Sequence, residues 1–321
     1  MAPSSSTRTL RLLVAFAVLI GFAGCASLRV GSPDADVPTG FDPVSTDPPR
    51  FDEAHPPRLA ETVFRVADAG LNAIVYEAQG PGPHPTVVLL HGFPGNERNL
   101  DLAQAIRRAG WNVVFFHYRG AWGSGGTFSF VHVLEDVEAV VEAITRPAFA
   151  AAHRIDPARI ALVGHSMGGF AALVAGADLD RVGCVVSMSG ANLGAMARTI
   201  ESLPERAAGF EKTLEGWSGP IRGPGGAALV AELVRNADRF DTTTHASALA
   251  RKDVLLIAGG RDRVTPATLH HEPLAEALRA ADARSLATTI FEEADHAYSG
   301  QRIALTRRVI DWLQSDCLRR E

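Results

Sequence analysis

The chain has 321 residues, of which 46% are hydrophobic and 21% charged, and its formal net charge is −5. That length supports one large core or two small ones, and the composition excludes a chain without a packed core. The modest negative charge argues against nucleic acid, or an anionic lipid surface, as a partner held by bulk charge.

Arg8 and Arg11 precede an apolar run from Leu12 to Ala23, the layout of a secretory signal, so residues 1–24 are expected to be a signal peptide. The run is short for a membrane span. Phe22-Ala23-Gly24-Cys25 resembles a bacterial lipobox, with Phe22 where leucine is usual. The resemblance implies that Cys25 is lipidated and becomes the mature N-terminus, anchored at the periplasmic face of the cell envelope, at the outer membrane. An ordinary cleaved signal and an uncleaved anchor are the alternatives. Removing residues 1–24 takes away two Arg and no acid, so the charge moves from −5 to −7.

Residues 25–60 are dense in proline, with Ser32-Pro33, Val37-Pro38, Asp42-Pro43, Asp47-Pro48-Pro49 and Pro56-Pro57. Proline at this density forbids helix and favours extended chain, so the segment is expected to be a tether, or else an arm packed on the body.

From Glu61 onward β-rich apolar runs alternate with helical periodicity, the pattern of a mainly parallel sheet covered on both faces. Strands are expected at Thr62–Val66, Ala73–Glu77, Thr86–His91, Asn112–His117, Ile160–Gly164, Cys184–Ser189, Val254–Ala258 and Thr288–Glu292. Helices are expected at Leu100–Ala109, Val133–Ile144, Met167–Ala177, Leu269–Ala281 and Ile303–Gln314. Residues 191–249 break this rhythm with helical pieces interrupted by Pro204, Pro220 and Gly223–Gly226, and are expected to form a cap over a core made of 61–190 and 250–316. Cys184 lies in an apolar strand and Cys317 near the C-terminus. Neither has metal-ligand spacing, so no metal site is expected. A disulfide would require the fold to bring the two together, which is not expected either.

Gly164-His165-Ser166-Met167-Gly168 matches G-x-S-x-G between an apolar strand and a helix, the setting that motif needs. A serine hydroxyl is a weak nucleophile, so it must stand on a tight turn where a base reaches it and a helix N-terminus favours developing negative charge. The oxyanion formed on attack needs backbone donors: the Met167 amide and the Phe93 amide of His91-Gly92-Phe93-Pro94-Gly95 are the expected pair, since Pro94 has none to give. His91 is expected to orient this loop. Acid and base should follow in that order, each just past a strand: Asp262 in Gly259-Gly260-Arg261-Asp262-Arg263-Val264-Thr265-Pro266, and His296 in Ala294-Asp295-His296-Ala297. Asp295 is the competing acid. His245, His270 and His271 are expected to face solvent, and Trp122-Gly123-Ser124-Gly125-Gly126 lacks the ending of a phosphate loop and reads as a turn near the pocket mouth.

With these motifs in order, residues 61 to about 316 resemble the α/β-hydrolase superfamily. His117-Tyr118-Arg119-Gly120, Gly-His-Ser-Met-Gly-Gly and Gly-Gly-Arg-Asp-Arg-Val-Thr-Pro are similar to its prolyl-oligopeptidase-like and serine-aminopeptidase-like branches. The resemblance implies an eight-stranded, mostly parallel sheet with helices on both faces and a cap inserted after strand six. It also implies a cofactor-free serine hydrolase acting on a small-molecule carboxylic ester or small peptide bond through an acyl-Ser166 intermediate, with Asp262 and His296 completing a triad. An acyltransferase using the same residues, or a non-catalytic ligand-binding lipoprotein, are the alternatives.

Overall fold

A computed structural model describes residues 41–317 except Ser218. The expected signal peptide, Cys25 and the first part of the expected tether lie outside the described residues.

Eight strands form one sheet: β1 (Arg58–Val66), β2 (Ala69–Glu77), β3 (His84–Leu90), β4 (Asn112–Phe116), β5 (Ile155–His165), β6 (Val182–Met188), β7 (Asp253–Gly259) and β8 (Ser285–Phe291). Their order across the sheet is β1-β2-β4-β3-β5-β6-β7-β8. β1/β2 and β2/β4 pair antiparallel, and every later pair is parallel. The helices between β3 and β6 are α1 (Leu100–Arg108), α2 (Phe130–Thr145), α3 (Pro147–Ala152) and α4 (Met167–Asp178). Between β6 and β7 come α5 (Leu193–Ser202), α6 (Pro204–Glu215), α7 (Gly226–Arg235) and α8 (Ala246–Leu249), and after β7 come α9 (Ala267–His270), α10 (Glu272–Ala280) and α11 (Arg302–Ser315).

The central strands are apolar along their whole length because both faces are covered. Along β3 the side chains alternate: Val88 and Leu90 join Leu162, Val185 and Phe170 beneath α2, α4 and the helices between β6 and β7, while Val87 and Leu89 join Val163, Val186, Trp111 and Trp312 beneath α1 and α11. Helix α2 starts at Phe130, three residues before the periodicity predicts, because the Ser129 hydroxyl caps the His132 amide at 3.0 Å. The helix predicted over 269–281 is two helices. Pro273, in the first turn of α10, has no N–H and its ring opposes the carbonyl of Leu269, so the chain restarts at Glu272.

Two expectations are corrected. Residues 41–57 of the expected tether lie against the body: Asp42 pairs with Arg307 at 2.8 Å, Arg108 donates to the Pro43 carbonyl at 2.7 Å, and Arg154 donates to the Pro56 carbonyl at 3.0 Å. The sheet accordingly begins at Arg58, ahead of the expected boundary at residue 61. The second concerns the cysteines. Cys184 of β6 and Cys317, just past α11, form a disulfide with their Cα atoms 5.7 Å apart. The reason is topological: α11 returns over the face of the sheet that buries Cys184 and brings the C-terminus to that strand.

The segment between β6 and β7, where a cap is expected, carries α5–α8. It is tied to the body by backbone bonds from Trp122 to Pro220, Arg222 to Gly120 and Phe128 to Arg222, and by Arg222 side-chain bonds to the carbonyls of Ser124 and Gly126. The Trp122–Gly126 segment is the turn that receives it.

The disulfide closes a loop with 133 residues of sequence separation, for which restriction of the unfolded chain supplies up to about 5 kcal/mol. Calorimetry of the wild type should therefore show a melting temperature roughly 5–10 °C lower under reductant, matched by Cys184→Ala/Cys317→Ala, whose melting reductant should not alter. Identical melting with and without reductant would show that the bridge contributes nothing in solution.

Candidate active site

β5 ends at His165 and α4 begins at Met167, leaving Ser166 alone at the corner with φ 58° and ψ −119°. Its amide donates to the Met188 carbonyl and its own carbonyl accepts from Phe170 and Ala191, so the turn is fixed from β6 and α4 together. The corner closes only because glycine flanks it: a Cβ on Gly164 would overlap the Gly168 carbonyl, and one on Gly168 would overlap the Leu90 carbonyl. Gly92 packs against Ser166, where an added Cβ would meet the Ser166 Cβ at 3.0 Å.

That contact brings the loop after β3 to the serine. Among the described residues the amides of Phe93 and Met167 have no hydrogen-bond partner, so both are free to bind an acceptor beside Ser166. The loop is held from behind. Trp122 Nε1 donates to the Pro94 carbonyl at 2.6 Å, and Arg98 Nε donates to the Gly95 carbonyl while its guanidinium lies 4.2 Å from the Trp122 ring centroid. His91 is buried, and its Nδ1–H donates to the Gly92 carbonyl at 2.7 Å. The Nε2 of the same ring must then accept, and it receives the Nδ1–H of His117 at 3.2 Å. His91 is thus committed to orienting the loop. Arg119, after β4, is clamped by Asp136 through its backbone amide at 2.7 Å and its Nε at 2.5 Å.

Asp262 follows β7 and His296 follows β8, and the structure brings them together with His296 Nδ1 2.7 Å from Asp262 Oδ2. The Asp262 side chain is fully shielded, whereas that of His296 is 21% exposed. Asp262 Oδ1 accepts the Val264 and Thr265 amides at 2.8 and 2.9 Å, and Oδ2 also accepts the Thr265 hydroxyl at 2.8 Å. Burial opposes the charge on this carboxylate, but the bonds from His296 and Thr265 outweigh it and hold its pKa well below the ordinary carboxylate range. The competing acid, Asp295, turns away and accepts the Ser299 amide at 2.8 Å.

Ser166 and His296 border one cavity of about 110 Å³, together with Gly92, Phe93, Pro94 and Glu97. None of the three histidines expected to face solvent is fully exposed: His270 is buried, with its Nδ1 accepting the Asn192 amide at 2.9 Å, and His245 and His271 are half-buried, burial pushing the His271 pKa down to about 4.

Three supporting residues escape a reading of spacing. The Thr265 hydroxyl lies 2.8 Å from Asp262 Oδ2 and 2.9 Å from the Ser189 carbonyl, and its one proton serves either acceptor. Tyr298 is buried with its hydroxyl 2.9 Å from Ser189 Oγ, beneath the loop that carries His296. His165 donates Nε2–H to the His296 carbonyl at 2.7 Å, with the two rings 4.8 Å apart. The Thr265 signal was present in the sequence as a hydroxyl three residues after the acid. The other two depend on contacts that no local pattern announces.

Comparison with known proteins agrees with this fold. Among curated relatives, the chain is 34% identical over 140 residues to an uncharacterised 31.7 kDa Escherichia coli protein from the traX-finO intergenic region, covering 42% of this chain and 48% of that protein. It is 30% identical over 197 residues to an uncharacterised Mycobacterium tuberculosis protein, covering 61% of this chain and 59% of the other. The chain therefore spans roughly half of the length of the curated relatives it matches. Among solved structures, Est1E from Butyrivibrio proteoclasticus with ferulic acid bound superposes with a TM-score of 0.65 at 20% identity, over 80% of this chain and 100% of Est1E. Pyrococcus horikoshii acylaminoacyl peptidase superposes with a TM-score of 0.60 at 14% identity, over 83% of this chain and 42% of the peptidase. These two share the fold. The sequence profile described as the alpha/beta hydrolase family matches residues 87–306, the stretch that contains Ser166, Asp262 and His296, and the chain belongs to that family.

Proposed function

We propose that this protein is a serine hydrolase that cleaves a carboxylic ester, or a small amide, through an acyl-Ser166 intermediate. The observation that carries this reading is the Asp262–His296 pair opening onto the same small cavity as a serine held on a strained corner. His296 accepts the Ser166 proton as Oγ attacks the carbonyl carbon, and Asp262 keeps the Nδ1–H tautomer in place and stabilises the imidazolium that forms. The oxyanion is received by the Phe93 and Met167 amides; a donor of this kind is worth on the order of 10²–10³ in rate. His296 then returns the proton to the leaving group, and water repeats the sequence on the acyl-enzyme. The likeness in fold to Est1E with ferulic acid bound and to an acylaminoacyl peptidase supports substrates in this range.

Export to the bacterial cell envelope, with a lipid on Cys25 as membrane anchor, completes the proposal. It is supported by the charged and apolar leader pattern and the Ala23-Gly24-Cys25 sequence. The Cys184–Cys317 bridge suits an oxidising compartment.

The relay places a transient cation on His296, so neighbouring imidazoles must carry none. Burial supplies this by pushing His91 down to about 3, and His117 and His165 down to about 4.

Three outcomes follow. Ser166→Ala and His296→Ala should each lower ester turnover by at least about 10³-fold with unchanged circular dichroism, and a fluorophosphonate probe should label Ser166 in the wild type alone; full turnover in either variant would end the assignment. Because the imidazoles of His91, His117 and His165, and with them those of His84, His270 and His271, titrate lower in the folded than in the unfolded chain, the unfolded state binds more protons between about pH 4 and 6.5. Denaturation followed across that range should show stability falling as pH falls, with proton uptake on unfolding that His165→Phe reduces. Fractionation of cells expressing Cys25→Ser should find the protein released from membranes, whereas unchanged retention would indicate an uncleaved N-terminal anchor.

A further inference from the structure

The rim of the Ser166 cavity is electrostatically one-sided. Glu97 borders that cavity on the same loop as the Phe93 amide. Its Oε1 accepts the Asn99 amide at 2.6 Å, which fixes the carboxylate at the rim, and no cationic side chain pairs with it among the described residues. The cations nearby in sequence or space are committed elsewhere. Arg98 turns to the opposite side of the loop, where it stacks on Trp122, bonds the Gly95 carbonyl and borders a separate groove with Val63, Ile74 and Phe115. Arg302, which reaches the Ala297 carbonyl beside the base, is neutralised by two bonds to Asp101 at 2.6 and 3.0 Å. The buried charge of Asp262 is directed at His296 and is matched by the imidazolium when that forms.

An unpaired carboxylate at the mouth of a small cavity raises the local concentration of cations and opposes anions. Glu97 is exposed, and the loop that carries it is pinned at Pro94, Gly95 and Asn99, so those bonds hold the charge at the mouth of the cavity.

We infer that Glu97 is a specificity-determining residue, selecting esters or amides that carry an ammonium or guanidinium group close to the scissile carbonyl. This rests on the hydrolase reading above, and it adds what that reading leaves open, the charge class of the substrate. Glu97 takes no part in bond making; its carboxylate contacts or faces the cationic group while Ser166 and His296 act on the carbonyl.

The test uses the purified full-length protein and two pairs of esters. One pair is a choline butyrate and its carbon isostere, in which tert-butyl replaces trimethylammonium in the alcohol; the other is betaine ethyl ester and its carbon isostere, with the same replacement in the acyl part. The quantity read is the ratio of kcat/KM for the cationic ester to that for its neutral twin, which divides out any change common to both. In at least one pair, Glu97→Gln, whose amide oxygen can still accept the Asn99 amide, should lower that ratio by about three- to tenfold. High salt should shrink the difference between wild type and variant. Ratios that stay within twofold of the wild type in both pairs would overturn the assignment of Glu97 while leaving the hydrolase reading intact. Failure of the wild type to turn over either neutral ester, in contrast, would overturn the hydrolase reading and this inference with it.

Discussion

At φ 58° and ψ −119°, Ser166 occupies a region of backbone space that a residue with a side chain adopts at a cost of about 1–3 kcal/mol. The surrounding structure exists in a form that makes this conformation the only one available. β6 accepts the Ser166 amide through Met188, and the carbonyl of Ser166 is held from the first turn of α4 and from Ala191. Gly164 and Gly168 let strand and helix meet at the corner, and Gly92 lets the loop after β3 come into contact with Ser166. Three neighbouring strands, β3, β5 and β6, are therefore registered to one side chain, and the two free amides at Phe93 and Met167 are a consequence of that registration.

The charges around this corner are arranged with similar economy. Asp262 accepts hydrogen bonds from two backbone amides, a hydroxyl and a ring nitrogen, which keeps it ionised in a site that excludes water. The His91 and His165 imidazoles are neutral because burial strips away the water that would stabilise a cation, and each uses its fixed tautomer for a structural bond: His91 to the loop after β3, His165 to the backbone of His296. Of these three rings, that of His296 is the most exposed.

Much of this was legible in the order of residues. Continuous apolar runs marked the central strands because a strand covered on both faces has no polar side, and the Gly-rich corner at Ser166 announced itself because few other residues fit such a turn. Asp262 and His296 could be located because each stands just past a strand whose apolar run is easily seen. The disulfide was not legible: Cys184 and Cys317 meet only because α11 folds back over β6. The start of β1 at Arg58 was hidden because this edge strand keeps Leu59 and Val63 exposed, so its hydrophobic pattern does not point to one face. The bond of His165 to a carbonyl 131 residues away belongs to the same class of long-range contact. Pro273, by contrast, was a readable signal for the break between α9 and α10 that helical periodicity overrode.

The Cys184–Cys317 bridge encloses α5–α8, Asp262 and His296 within its loop and leaves Ser166 outside it. Helix α6 presents Arg206 and Lys212 to solvent on this enclosed stretch. A trypsin-like cut there would divide the backbone between Ser166 and His296, yet the two pieces would remain one covalent molecule, with β6 on one piece still fastened to the end of α11 on the other. Integrity of the polypeptide and integrity of the folded unit are thus separable in this protein, and it is the thiol chemistry of the surroundings that decides whether they part.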